Sequence, residues 1–292
     1  MTRRTFTDSH LVEWAGLTFE VVAGRDVNRR AQLDSLREEV LRVAAVSRGW
    51  DDPGSIAHFR RTFKIGPMYE ASGLMLVYKN DELVGLAGTV NDWTVGSGSV
   101  VHLCSLGLLP QVQRRGLLQV FMSLLWIASL QRPGTAADLA RGALYTTAIT
   151  QSPYIVGFMQ QVADIFPSPT RIHPRPDEID VARAVIARFD PDVSFDAATF
   201  VLRNECEFRY RRMPLSLDRR ITRMCAERLR YEQGDVFVVV GAVNAERLGR
   251  FLERQKREFQ EPLGALLAKV CSGTSDCTTN PLRQEQVNDV NV

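Results

Sequence analysis

The apolar residues of this chain fall into short blocks, each with its own period. GLTFEVVAG (16–24) has the density of a strand. From about 30 to 48, Leu33, Leu36, Val40, Val43 and Ala44 recur at three and four, which predicts a helix stopped by GWDDPG (49–54). A short helix is expected around 55–65. A hairpin of LMLVYK (74–79) and ELVGLAGTV (82–90) then turns at Asn80-Asp81. Asn91 to Gly98 reads as a loop. A buried strand runs to Leu108, a proline-stopped loop follows, and 117–130 is an apolar helix opened by Gly116.

Past Pro133-Gly134 the pattern gives a strand at 143–150 and a helix at 152–166, with Ser152 as cap and Pro153 at its first position. A four-proline loop spans 166–176. A helix at 177–189, a strand at 194–210, a helix at 216–231, a strand at 236–243 and helical stretches to about 270 complete the pattern. The polar residues 271–292 are expected to be a disordered tail. The order β-α-α-β-β-β-α-β-α predicts a mixed α/β sheet with helices on its faces. The domain expected is 16–270, with its core at 16–166 and a C-terminal elaboration at 167–270.

Composition narrows the function classes. The net charge is +2, with 24% charged and 45% apolar residues, so there is no bulk argument for nucleic acid or an anionic membrane. The five cysteines include no CxxC pair and no His cluster beside them, which excludes a zinc motif and points to a reduced, cytoplasmic protein without a metal. No apolar run follows the N-terminal arginines, so no signal peptide is expected. The most apolar stretch, Leu117–Leu130, is shorter than a membrane span and is interrupted by Gln119, Ser123 and Ser129.

The chemistry concentrates at 99–130. A helix opening at Gly116 leaves backbone N–H groups free to face an anion, and glycine lets a ligand come close. Arg114 and Arg115 sit at that positive end, where they disfavour the helix unless an anion such as pyrophosphate is bound. The strand before it is nearly uncharged, so a ligand carrying amides can pair with it as an extra strand. The plain alternative is a pair of arginines beside an apolar helix. No GxxxxGK[ST] exists in the chain and no GxGxxG follows the first strand, which excludes those two nucleotide loops.

Gln113-Arg114-Arg115-Gly116-Leu117-Leu118 resembles motif A of the GCN5-related N-acetyltransferase superfamily, Gln/Arg-x-x-Gly-x-Gly/Ala, with Leu118 where the pattern has a small residue. The resemblance covers roughly 16–166. The Arg-Arg-Gly-Leu-Leu run is also similar to that of the enhanced-intracellular-survival type aminoglycoside acetyltransferases, which tolerate leucine there. It implies acetyl-CoA or another acyl-CoA as co-substrate, with pantetheine paired to the backbone of Leu106 and Leu108. Backbone N–H groups from Gln113 to Leu118 then hold the pyrophosphate.

The same resemblance points to roles for other residues. His102 lies eleven positions before Gln113, where histone-acetylating members carry a glutamate base; the alternative is a packed core histidine. Tyr154 is the one tyrosine on the helix that often supplies the general acid, although it lies earlier than the family's tyrosine. Trp50 and Asp51, with Asp52 and Tyr69, fall where this fold lines its acceptor pocket, suited to a cationic amine. Thr147 and Ser152 lie near the opening between two strands, to contact acceptor or thioester or simply to cap. The expected activity is N-acyl transfer to a small-molecule amine by direct attack in a ternary complex. Two rivals stand beside it: a longer-chain or carrier-protein-bound donor making an acylated amino acid, and a non-catalytic CoA-binding sensor. Residues 167–270 are left as an acceptor cover or a homodimer interface.

Overall fold

The structure is a computed structural model that describes residues 6, 9–23, 29–63, 66–113, 116–206, 210–211 and 213–258. Arg114, Arg115 and the polar tail 271–292 lie outside the described residues. The first half contains β1 (Ser9–Trp14), β2 (Leu17–Ala23), α1 (Arg29–Ser35), α2 (Arg37–Val46), α3 (Pro53–Thr62), α4 (Gly66–Tyr69), β3 (Gly73–Lys79), β4 (Glu82–Val95) and β5 (Gly98–Leu108). After a 3-10 turn at Pro110–Val112 come α5 (Leu117–Leu130), α6 (Pro133–Ala140), β6 (Leu144–Thr150), α7 (Pro153–Met159) and β7 (Ala163–Phe166). The remainder is α8 (Pro176–Phe189), β8 (Phe195–Asp196), β9 (Val201–Leu202), α9 (Arg219–Arg228), β10 (Val236–Val243) and α10 (Ala245–Glu258).

The fold is mixed α/β, as the pattern of elements implied. One sheet runs β1-β2-β3-β4-β5-β6-β10-β9-β8, with β7 also paired to β10. Its pairs are antiparallel except β5 with β6, which are parallel and joined by the α5 crossover. β10, from the far end of the chain, enters the sheet beside β6. It is buried on both faces: Val236, Val238 and Val240 face the core under α8, while Phe237 and Val239 face the core with α5, α7 and α10. That two-sided burial explains its unbroken apolar run.

Several expectations are corrected. Asn91–Gly98 is not a loop: β4 runs on to Val95, and the turn falls at Gly96-Ser97, where Gly96 takes a φ of 57°. Trp93 and Val95 pack against the core under α8, and this burial overrides the weak strand propensity of Asn91 and Asp92. The helix expected over 152–166 stops at Met159, because Ala163–Phe166 pairs with Val240–Val243. The strand expected at 194–210 reduces to the two-residue pieces β8 and β9. The first helical pattern is cut at Leu36 into two helices, and β1 and α6 are additional elements.

Candidate functional site

Two irregularities in β5 build the site. Against β4, Gly88 pairs with Ser105 and Thr89 with Leu103, so Cys104 is an extra residue outside the ladder. Such a bulge bends its strand and increases its twist. Against β6, the parallel pairing runs from Ser99–Leu144 to Leu103–Ala148 and then ends. β6 continues through Ile149 and Thr150, but these pair with Val238 and Phe237 of β10. β5 continues to Leu108 with β4 alone. The two strands part in a fork, and β5 passes from buried at His102 to partly exposed over Leu103–Leu106.

The loop after β5 presents backbone to the same end of the strand. Leu109 N–H donates to Val84 O (2.9 Å), Val112 is buried, and Gln113 Nε2 donates to Leu108 O (2.7 Å). Gly116 caps α5 from the left-handed region (φ 72°, ψ 5°), a conformation that favours glycine, and offers no side-chain cap. The first turn-to-helix bond is Val120 N–H to Gly116 O (3.2 Å), so the N–H groups of Leu117, Leu118 and Gln119 have no partner within the helix. The first turn of α5 holds no acidic residue. Leu117 and Leu118 are both buried in the core, so the bulk of Leu118 points away from the turn.

His102 and Thr147 meet at the apex of the fork, with Nδ1 2.9 Å from Oγ1, and both are buried. The imidazole also stacks on Phe189 at the end of α8 (4.3 Å between ring centres, 17° between planes). Burial, and secondarily the positive charge of Arg188, lowers its pKa to about 3. Arg188 lies over Trp93 (5.2 Å) and Phe189 (5.5 Å) and is paired with Glu70 (3.0 Å) and Asp92 (3.6 Å). The end of α8 thus closes the α8 face of the sheet over His102. Phe189 and Arg188 carry no local sequence signal for this role, since it arises from packing across 87 positions.

The other candidates are distributed around this centre. Ser152 is buried and caps α7, its Oγ accepting from Ile155 N–H (3.4 Å), while its own N–H donates to Thr150 Oγ1 (3.0 Å). Tyr154 is half-buried in the first turn of α7, packed on the core. Trp50 and Asp51 stand at the α2–α3 connection, where Arg211 from the C-terminal region lies over the indole (4.8 Å). The same guanidinium is 3.9 Å from Asp51 and donates to Asp52 Oδ2 (2.8 Å) and Ser55 Oγ (3.0 Å). Tyr69 donates to Asp34. Gly107 lets α2 approach the open half of β5, since a Cβ there would lie 3.3 Å from Val43 and 3.4 Å from Ser47. Among the described residues no cluster of His, Cys, Asp or Glu could hold a metal, and no helix is long and apolar enough to cross a membrane.

No protein-family model and no curated protein matches the chain. Among solved structures it is similar to PH1933 from Pyrococcus horikoshii OT3, at 14% identity over 49% of this chain and 83% of that one (TM-score 0.32). It is also similar to a GCN5-related N-acetyltransferase from Kribbella flavida, at 18% identity over 51% and 34% (TM-score 0.29). A third is diaminobutyrate acetyltransferase from Paenibacillus lautus, at 9% identity over 50% and 78% (TM-score 0.29), solved with L-2,4-diaminobutyric acid and coenzyme A.

Proposed function

We propose that the chain is an acyl-CoA-dependent N-acyltransferase that moves an acyl group, acetyl in the simplest case, to the amine of a small molecule by direct attack in a ternary complex. One observation carries this reading: β5 and β6 part beyond Leu103 and Ala148 beside a glycine turn that opens α5. The fork exposes a strand edge that pantetheine amides can pair with at Leu106 and Leu108. The turn, from Gln113 through Gly116 to Leu117 and Leu118, offers N–H groups to the pyrophosphate, and Arg114 and Arg115 add two positive charges to that run of sequence. Where acyl-CoA is bound it supplies the activated thioester; the chain's part is to hold it, orient it and admit the amine.

In the transfer, the neutral amine nitrogen bonds to the thioester carbon, the C–S bond breaks, the nitrogen gives up a proton as the amide forms, and the departing thiolate takes one up. The amine must arrive without its extra proton. A buried imidazole with a pKa of about 3 binds no proton at neutral pH. In this proposal solvent therefore removes the acceptor's proton, while His102 and Thr147 brace the apex of the fork. Tyr154 is proposed to protonate the thiolate. Trp50 and Asp51 are proposed to receive the cationic acceptor in place of Arg211. The void behind the apex, lined by Val101, Leu103, Thr146, Met122 and Trp126, is about 10 Å³, room for one water-sized group.

The burial of His102 favours one further reading, a CoA-binding sensor without turnover. Calorimetry with acetyl-CoA and longer acyl-CoAs, followed by thiol release across a panel of amines, tests both. Binding with thiol release supports the enzyme. Binding without release across the panel supports the sensor, and no acyl-CoA binding would sink both.

A further inference from the structure

The segment that leads from Arg211 into α9 packs on α7, and its outer side carries a separate inference. Leu217 is 91% and Leu215 65% exposed. They are not loose ends. Ser216 between them turns inward against α7, so close that a Cβ on Gly157 would lie 2.3 Å from its Oγ. Ser216 N–H donates to Thr222 Oγ1 (3.1 Å), and Ser216 Oγ accepts from Asp218 N–H (3.2 Å). With Ser216 anchored inward, the leucines on either side of it stand in solvent.

Behind the leucines, α9 buries Ile221, Met224 and Cys225 and turns Arg219, Arg220 and Arg223 outward. Asp218 caps the helix, its Oδ1 accepting from Arg220 N–H (2.9 Å), and Arg219 and Arg220 follow it in the first turn. Arg219 and Arg223, four apart on one face, repel one another. Neither has an ion-pair partner among the described residues, whereas Arg220 pairs with Asp218 (2.8 Å). With Asp218 committed to Arg220 and Glu227 one turn beyond Arg223, this face keeps an excess of positive charge to offer a negatively charged surface.

We propose that the Leu215–Leu217 turn and the exposed face of α9 form a docking surface for an anionic lipid membrane, the leucines entering the acyl region and Arg219 and Arg223 meeting the phosphate headgroups. A bilayer fits this shape better than a protein does. Two projecting leucines form a point rather than a face, and a stable protein contact takes about 800 Å² from each partner. Apolar side chains held ahead of basic ones match the depth order of a membrane interface.

The test is co-sedimentation of the full chain with phosphatidylcholine vesicles, with or without about a third phosphatidylserine. Binding is expected to the anionic vesicles only and to weaken as salt is raised. R219A/R223A is expected to lower the partition coefficient by roughly 20- to 30-fold, from about fivefold per arginine. L215S/L217S is expected to abolish binding with an unchanged circular dichroism spectrum and urea midpoint, while Ile172→Ser, at another exposed apolar site, binds as the parent does. No sedimentation with anionic vesicles, equal sedimentation with neutral ones, or parental binding by L215S/L217S would overturn the proposal. A lipid-free dimer dissolved by Leu217→Ser would also overturn it, by assigning the surface to a second copy of the chain.

Discussion

His102 and Phe189 lie face to face with ring centres 4.3 Å apart, and the contact joins the apex of the strand fork to the last turn of α8. It gives the histidine a measurable signature. Burial holds the folded-state pKa at about 3, against an ordinary value of 6.5. Between those values the unfolded chain binds a proton that the folded chain does not. The stabilisation is therefore complete above pH 6.5 and is lost as the pH falls toward 3, at about 1.4 kcal/mol per pH unit. Asp52 and Asp235 act lower, since their carboxyls are depressed from 3.8 to about 2. Urea unfolding at about pH 4, 5 and 7 is expected to show this slope in the parent and a flatter one in His102→Asn. An unchanged slope in the variant would show that the histidine is not buried in its neutral form.

Gly116 tests the phosphate-turn reading. At a φ of 72°, Gly116→Ala places a Cβ in a backbone conformation that costs about 1 kcal/mol. It also distorts the N–H groups at the start of α5. The expected outcome is a stability loss of about that size with a loss of CoA affinity of at least tenfold, measured by urea unfolding and calorimetry on the same preparation. A stability loss with parental affinity would move the pyrophosphate elsewhere.

Glu178 is the buried anchor of α8. Its carboxylate accepts from Arg171 Nη1 and Nη2 (3.0 and 2.7 Å), from Arg175 Nη2 (2.8 Å) and from Arg175 N–H (2.8 Å). Glu178→Ala leaves two guanidinium groups without their shared anion. Because both arginines reach solvent in part, the cost is expected at the low end for a broken buried pair, about 3 kcal/mol, read from the urea midpoint. A cost below about 1 kcal/mol would mean that α8 is held by its apolar face alone.

The sequence made some of this architecture legible and concealed the rest for physical reasons. The α5 range 117–130 and the β10 range 236–243 agree with expectation because their apolar runs are long and bounded by glycine, proline or polar residues. Ala163–Phe166 did not stand out, since four residues after a helical pattern have no period of their own and become a strand only by pairing with β10. The bulge at Cys104 was not readable, because register depends on the partner strand. The cover that Phe189 lays over His102, and Arg211 over Trp50, joins residues 87 and 161 positions apart, beyond the reach of any local pattern.

Arg211 offers the sharpest test of where an acceptor binds. Its guanidinium occupies the face of Trp50 and is shared among Asp51, Asp52 and Ser55, the combination of ring and carboxylate that suits an amine cation. About half of its side chain is exposed, so solvent screens the pairing and a competing cation can displace it. If Trp50 and Asp51 receive the acceptor, Arg211→Ala vacates that place without altering the fork or the α5 turn. The expected result is a lower KM for cationic amines, with kcat, acetyl-CoA affinity and melting temperature unchanged. Trp50→Ala is expected to raise the same KM in both the parent and the Arg211→Ala background. The charge-retaining Arg211→Lys is expected to stay close to the parent. If KM for every amine in the panel is indifferent to Arg211→Ala and to Trp50→Ala, the acceptor binds elsewhere, and the arginine serves only to fasten the C-terminal region to the α2–α3 connection.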